Sequence, residues 1–428
     1  MKKLNIAIVG LGNIGSYLFK YLKKNKKILA KKNNCIPNIL YVSAKNKKRN
    51  RGFKINKKIW LNNFLDATKN KNVDLIIELI GGAEGPAKKL VFNALKNKKH
   101  VVTANKALIA KYGDQLSKIA EKNKVNLEFE ASVCGGVPII RSLKEGLIAN
   151  KISKVFGIFN GTSNYILSSM DKENKSFEEV LNKAKKLGYA ESNPSADLNG
   201  DDVAAKLKIL SSLCFNSYLN NNIHVEGINN IDKEDIDNAD KLGYKIKLLG
   251  VAELINNNIY QRVHPTLIKK SAYVASIDGV LNAVILNGYP VGQSIIQGEG
   301  AGAAATTSAL VSDISSILRG NIKFPFSISN KERKKIKSKK ITERSFSSYL
   351  RFEVLDQRGV LSNITSIFSK NNVSIKRLIQ TPKRNKGTSS IIIITHSSKD
   401  ASLNKVIKVI GNKRFIIKTP KMIRINDN

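Results

Sequence analysis

Residues 4–9, LNIAIV, form a nearly continuous apolar run, the pattern of a strand buried on both faces of a parallel sheet. The run enters Gly10-Leu11-Gly12-Asn13-Ile14-Gly15 and then an amphipathic stretch over 16–24, which predicts a strand, a tight turn and a helix. Further apolar runs predict strands at 39–43, 73–80, 100–103 and 125–130, alternating with helical periodicity at 85–96 and 106–123. Such alternation builds a Rossmann-type doubly wound sheet over residues 1–130, with its ligand crevice at the carboxyl ends of the strands. Gly81-Gly82 and Thr103-Ala104-Asn105-Lys106 fall at those ends.

After Glu130 the pattern changes, and an α+β segment is expected over 131–325, with about 300–325 returning to the first domain. It begins with a strand at 154–160 and a loop at 161–164. A helix follows at 177–187, with Ser176 as N-cap, Glu179 completing a capping box and Gly188 just past its end. Another helix is expected at 201–214. Residues 326–346 are basic and lack apolar periodicity, so they read as a linker. Beyond them, strands at 349–355, 374–380, 389–395 and 415–418 with helices at 359–371 and 403–411 give the βαββαβ order of a ferredoxin-like module over 347–428.

Composition fits this plan. A chain of 428 residues, 42% of them apolar, has room for two or three domains and a large core. Its 73 Lys+Arg against 33 Asp+Glu give a net charge of +40, but the lysines are spread along the chain beside frequent Asn and Ile. That is compositional bias, and no nucleic-acid partner is expected. No run approaches the ~18 apolar residues of a membrane span, and the glycine-interrupted start lacks a signal-peptide cleavage site. Cys35, Cys134 and Cys214 are odd in number and far apart, so neither a disulfide framework nor a zinc site is indicated, and a reducing cytoplasmic setting fits.

The first chemistry is in the glycines. Gly10 allows the turn, Gly12 lets the backbone approach a pyrophosphate, and Gly15 permits close helix–strand packing, with phosphates at the helix N-terminus. An NAD site places an Asp or Glu after the second strand, yet the first acidic residue here is Asp66. The basic loop Lys45-Asn-Lys47-Lys48-Arg49-Asn-Arg51 suits the 2′-phosphate of NADP instead, with NAD as the alternative. The densest polar motif is Gly188-Tyr-Ala-Glu191-Ser-Asn-Pro194-Ser-Ala-Asp197-Leu-Asn-Gly200-Asp201-Asp202-Val-Ala-Ala-Lys206, in which Asp202 and Lys206 share one helical face. Taken alone, that spacing is an ordinary ion pair. A calcium loop fails for want of the ligand spacing and terminal Glu.

The full spacing GYAExxPxxDxxGxDxxxK, following GLGNIG, ELIGG at 78–82, TANK at 103–106, EASVCGGVPII and NGTSNYIL, and preceding Gly298-Glu-Gly-Ala-Gly302, resembles homoserine dehydrogenase over the entire chain. Leu355-Asp356-Gln-Arg-Gly359-Val-Leu361 makes the last module similar to an ACT domain, a type that commonly binds an amino-acid effector. The resemblance implies reversible nicotinamide-dependent interconversion of L-aspartate 4-semialdehyde and L-homoserine, on the way to threonine and methionine. It implies Lys206 as proton donor and acceptor, Lys106 near the reacting group, and Glu191, Asp197 and Asp202 on the substrate ammonium, with Gly161 and Thr162 as further contacts. Gly188, Lys106, Glu299 and Gly300 would line the nicotinamide. The Glu130 side chain and the carbonyls of Val133, Gly135 and Val137 would hold a structural Na+. Two ammonium groups in one cleft are expected to lower each other's pKa.

The family also implies a homodimer through the second domain, with ACT-mediated association as a further possibility. Lys45 stands where many relatives have Arg, and Arg358 where related ACT modules often have Pro. The family's other form carries a fused aspartate kinase, which this chain, opening on the cofactor fold, is expected to lack. Two alternatives stand beside this reading. One is a semialdehyde dehydrogenase acylated on Cys134, and the other an amino-acid-sensing regulator without catalysis.

Overall fold

The apolar start of the chain becomes the strand Lys2–Val9, second in a five-stranded parallel sheet. The order across that sheet is Cys35–Ser43, Lys2–Val9, Leu75–Glu78, His100–Thr103, Leu127–Glu128. Two expected strands are shorter than their apolar runs, and Glu130–Ser132 forms a short 3-10 turn where a strand end was expected. The computed structural model describes residues 1–383 and 387–426. Residues 384–386 and 427–428, which belong to the expected C-terminal module, lie outside the described residues.

Helices Asn13–Lys24, Pro86–Lys96 and Lys106–Lys122 cover the sheet, as their apolar stripes require. A further helix, Ala303–Leu318, returns from the second domain and buries Leu310, Ile314, Ile317 and Leu318 in the same core as Leu18, Phe19 and Leu22. Among the described residues no helix is long and apolar enough to cross a membrane.

The second domain is built on a large mixed sheet whose long hairpin pairs Tyr244–Ile255 with Asn258–Lys269. Strand Lys151–Ile158 lies beside that hairpin and leads directly into the helix Gly161–Glu173, capped by Asn160, whose Oδ1 accepts the Ser163 N–H at 2.8 Å. A loop was expected at 161–164. The helix escapes a periodicity reading because Ser163 to Met170 are buried on every side, and four of those eight are Ser or Asn. The buried helix Asp201–Cys214 packs against this sheet with Val203, Leu207 and Leu210.

The basic stretch 326–346 is not a free linker. Phe326, Asn330, Arg333 and Ile341 are buried in it, and Lys337–Lys339 pairs in parallel with the Asn258–Lys269 strand. Arg333 donates to Asp114, Ser212 and the Ser217 carbonyl, all between 2.7 and 2.8 Å. The guanidinium also lies over the Phe326 and Tyr218 rings, and a cation buried in this way leaves no apolar signal of its own.

The C-terminal module has the expected βαββαβ order, but its last strand is Lys421–Asn426, and 415–418 contributes only a bridge from Ile416 to Val354. That strand pairs with Ser348–Leu355 inside the module and, in parallel, with Asn258–Lys269 of the second domain, so one sheet runs through both. Along Ser348–Leu355 the side chains alternate between two buried environments. Leu350, Phe352 and Val354 face the module's own core, while Tyr349 and Arg351 bond to the second-domain helix Lys233–Lys241.

Candidate active site

At the crevice Gly10 has φ +105°, and a Cβ at Gly15 would lie 1.9 Å from the Gly10 carbonyl oxygen, so only glycine allows this helix so close to its strand. A Cβ on Gly12 would meet nothing within 4 Å. The helix Asn13–Lys24 begins without a side-chain cap, leaving its first N–H groups for a phosphate. An open glycine cradle before an uncapped helix fits a dinucleotide pyrophosphate.

The floor of the crevice is organised by a residue outside the expected set. The buried Glu78 accepts the N–H groups of Ile80 and Gly81 at 2.7 and 3.0 Å and the Thr103 hydroxyl at 2.6 Å. Thr103 therefore fixes the loop through its side chain. Asn105 caps the helix Lys106–Lys122 and reaches the Gly82 carbonyl at 2.7 Å, which sets Lys106 at the helix start. In the basic loop Lys45 is exposed, whereas Arg51 folds back, donating to the Leu11 carbonyl of the glycine turn at 3.1 Å and lying over Trp60.

Lys106 and Lys206 meet on one carboxylate. Asp202 Oδ1 lies 2.9 Å from Lys106 Nζ, and Oδ2 lies 2.7 Å from Lys206 Nζ. The Lys206 ammonium also donates to the Phe159 carbonyl at 2.6 Å. Asn160 Nδ2 donates to Asp202 at 2.8 Å and to Asp197 at 2.7 Å, drawing both carboxylates to the head of the Gly161–Glu173 helix. Thr162 donates its hydroxyl to the Tyr189 carbonyl at 2.7 Å, tying that helix to the turn at Gly188, where φ is +75°. Glu191 is exposed and joins none of these contacts. Asn160 and the Phe159 carbonyl were missed, and the sole signal for them was a polar residue directly before an expected turn.

Electrostatics follow from this geometry. Burial works against charge on Asp202, but the Lys206 and Lys106 ammonium groups override it and hold the carboxyl well below the usual range. Burial likewise works against charge on Lys206, and the adjacent Asp202 more than offsets it, so its pKa lies above the ordinary value. Mutual repulsion was expected to lower it. The expectation fails because it omitted the carboxylate between the two amines. Asp197, with burial dominant and Asp202 close, is raised.

Glu299 and Gly300 belong to the segment that packs on the loop after Glu130. The Gly136 N–H donates to the Glu299 carbonyl at 2.9 Å, and a Cβ on Gly135 would lie 2.6 Å from the Gly300 oxygen. Glu130 is buried, accepts the N–H groups of Ile140 and Arg141 at 2.9 and 2.6 Å, and forms no ion pair among the described residues. Burial raises its carboxyl to about 7 despite Lys144 and Arg141 nearby, and a buried carboxylate with no direct ion pair suits a hard cation. Cys134, in the same loop, is buried, and burial pushes its thiol up to about 11, which is the behaviour of an inert thiol and disfavours acyl transfer through it.

The homoserine dehydrogenase NAD binding domain profile matches residues 10–130, the homoserine dehydrogenase profile 138–315, and the ACT domain profile 348–413. A homoserine dehydrogenase of Neisseria gonorrhoeae is 38% identical over 439 residues, covering 99% of each chain. The chain belongs to the homoserine dehydrogenase family. One of Helicobacter pylori is 37% identical over 100% of both chains. The crystal structure of a homoserine dehydrogenase from Thiobacillus denitrificans superposes with a TM-score of 0.92 at 35% identity, covering 100% of this chain and 99% of that one. As a member of this family the chain is an oxidoreductase acting on a CH–OH group, with an NAD(P)-binding domain and an ACT domain.

Proposed function

We propose that this chain interconverts L-aspartate 4-semialdehyde and L-homoserine with NADP, on the way to threonine and methionine. The observation that carries the reading is the Asp202 carboxylate held between Lys106 and Lys206, one lysine from each domain, at the mouth of the glycine crevice. When bound, the nicotinamide supplies or accepts the hydride. Lys206 gives a proton to the aldehyde oxygen in reduction and takes it from the hydroxyl in oxidation, and Lys106 offsets charge on the same oxygen. Asp202 and Asp197, aligned by Asn160, receive the substrate ammonium, and Gly161 and Thr162 border it. Glu191 is exposed and would join them only by loop movement.

Gly10, Gly12, Asn13, Ile14 and Gly15 cradle the pyrophosphate, and Gly81, Thr103, Gly188, Glu299 and Gly300 border the nicotinamide side. Lys45 is assigned to the 2′-phosphate, while Arg51 braces the loop against the glycine turn. A monovalent cation, Na+ by family resemblance, is assigned to Glu130 and the carbonyls of Val133, Gly135 and Val137. A homodimer through the second domain, an amino-acid effector at the C-terminal module and a cytoplasmic location complete the proposal, the last supported by three free, buried cysteines.

The test is reduced-nicotinamide absorbance on adding L-homoserine with either cofactor. Turnover faster with NADP than with NAD is expected, and Lys45→Ala should narrow the difference by raising KM for NADP about tenfold, the loss of one charge-assisted contact. Equal rates with both cofactors in the wild type would remove the NADP assignment. Because its thiol is buried and inert, Cys134→Ser should keep kcat within about twofold; loss of turnover in a folded variant would return the acylating-cysteine mechanism.

A further inference from the structure

The loop carrying Asp197 and Asp202 is braced from behind by residues outside the long motif. The Ile228 N–H donates to the Leu198 carbonyl at 2.8 Å, and Asn229 Nδ2 donates to Asn199 Oδ1 at 2.7 Å. Gly227 sits so close that a Cβ there would lie 2.2 Å from the Leu198 oxygen and 2.6 Å from Asn199 Cα. This wall is anchored at Glu226, whose N–H donates to the Val263 carbonyl at 2.7 Å.

The Glu226 carboxylate is held in turn by the C-terminal module. Arg424, on the strand Lys421–Asn426 and 1% exposed, lies 2.9 Å from each Glu226 oxygen through Nη1 and 2.7 Å from Asp400 through Nε. His224 Nε2 contacts Glu226 at 2.6 Å. From Arg424 to Asp197 the path is therefore one ion pair, a three-residue wall and one turn of backbone. Asp197 has its carboxylate anchored by Asn160, while the backbone of its loop leans on the wall.

We propose that Glu226 and Arg424 are positioning residues for the amino-acid substrate: the pair fixes the wall at 227–229, and the wall fixes where the Asp197 and Asp202 carboxylates meet the substrate ammonium. The inference rests on the homoserine reading of those two carboxylates. Neither residue touches Lys206 or the glycine crevice, so the effect falls on homoserine binding and leaves proton transfer and cofactor binding alone. Asp400 keeps the Arg424 guanidinium paired when Glu226 is neutralised, so Glu226→Gln loosens the wall without stranding a buried charge, and Lys cannot supply the guanidinium geometry that holds both carboxylates at position 424.

The experiment is steady-state kinetics of the full chain with Glu226→Gln, Arg424→Lys and the double variant, alongside Asn229→Ala. The last removes an exposed side chain and so tests the wall without touching the buried pair. KM for L-homoserine is expected to rise about five- to tenfold in the first two and about twofold in Asn229→Ala, with kcat within about twofold and KM for NADP unchanged. The double variant should be no worse than the more severe single one, because both single variants break the same Glu226–Arg424 pair. An unchanged KM for homoserine in all four variants overturns the positioning role, as does a rise in which kcat and both KM values move together. A wild type that turns homoserine over while the variants keep its KM sinks this inference alone; a wild type without turnover sinks the reading beneath it.

Discussion

Lys206→Ala should lower kcat for homoserine oxidation by about 10²- to 10⁴-fold, the usual contribution of a positioned proton-transfer group, while the NADP complex still forms. The pH dependence follows from Asp202. That carboxylate raises the Lys206 pKa, so the amine is charged across the neutral range and is poised there as the acid for aldehyde reduction. Oxidation needs the neutral amine, so its rate should climb with pH through the alkaline range as Lys206 loses its proton. In Asp202→Asn the carboxylate is gone and burial remains, which lowers the Lys206 pKa and moves the rising limb to lower pH. Profiles of kcat against pH, measured with saturating homoserine for oxidation and saturating semialdehyde for reduction, check this. A rising limb at the same pH in wild type and Asp202→Asn would show that another group controls the proton.

Arg351→Met should destabilise the chain by about 3–5 kcal/mol, the loss that follows from stripping the partner from a buried ion cluster. The guanidinium is 2% exposed and lies 2.7 Å from Asp235 through Nε, 2.7 Å from Glu234 and 3.1 Å from Glu353 through Nη1, and 2.6 Å from Asp232 through Nη2. Asp235, 0% exposed, would keep the Tyr349 hydroxyl at 3.2 Å but have Lys421 as its one remaining cation, also at 3.2 Å, among the described residues. Burial opposes charge on both Asp232 and Asp235; Lys421 and Arg351 lower the Asp232 carboxyl to about 2, while burial and the neighbouring Asp232 charge keep that of Asp235 raised, so the acid dependence is carried by Asp232. A carboxyl with a depressed folded pKa stabilises above its unfolded value of ~3.9 and loses that contribution as pH falls towards the folded one. Denaturant unfolding at pH 7 should expose the full deficit of Arg351→Met, and the gap to wild type should narrow between about pH 4 and pH 2. A variant as stable as wild type at pH 7 would mean the cluster contributes nothing net.

The parts legible in the sequence are those whose signal is local. The glycine turn between a buried strand and a helix, the capping box of Ser176 and Glu179, and the four-residue spacing of Asp202 and Lys206 all lie within one element or one turn. What stayed hidden depends on distant partners. Lys106 reaches Asp202 from another domain, and no periodicity links the two. Arg333, Arg351 and Arg424 look like solvated surface in a chain so rich in Lys and Arg, yet each is buried because carboxylates far along the chain neutralise it. Burial by ion pairing leaves no apolar stripe, so the docked stretch 326–346 was read as a linker and the last strand was placed too early. The direction of the Lys206 pKa fails for a different reason: repulsion from Lys106 was weighed without Asp202, four residues away on its own helix.

The sheet shared by the two C-terminal parts of the chain has a bearing on solubility. The pairing of Arg424, Ile425 and Asn426 with Thr266, Leu267 and Ile268 covers one edge of a long strand whose side chains here are mostly apolar. A chain cut after residue 346 would present that edge as a row of unpaired N–H and C=O groups, a template for strand addition by a second molecule. The ACT module thus doubles as an edge cover, and self-association would be the first symptom of its loss.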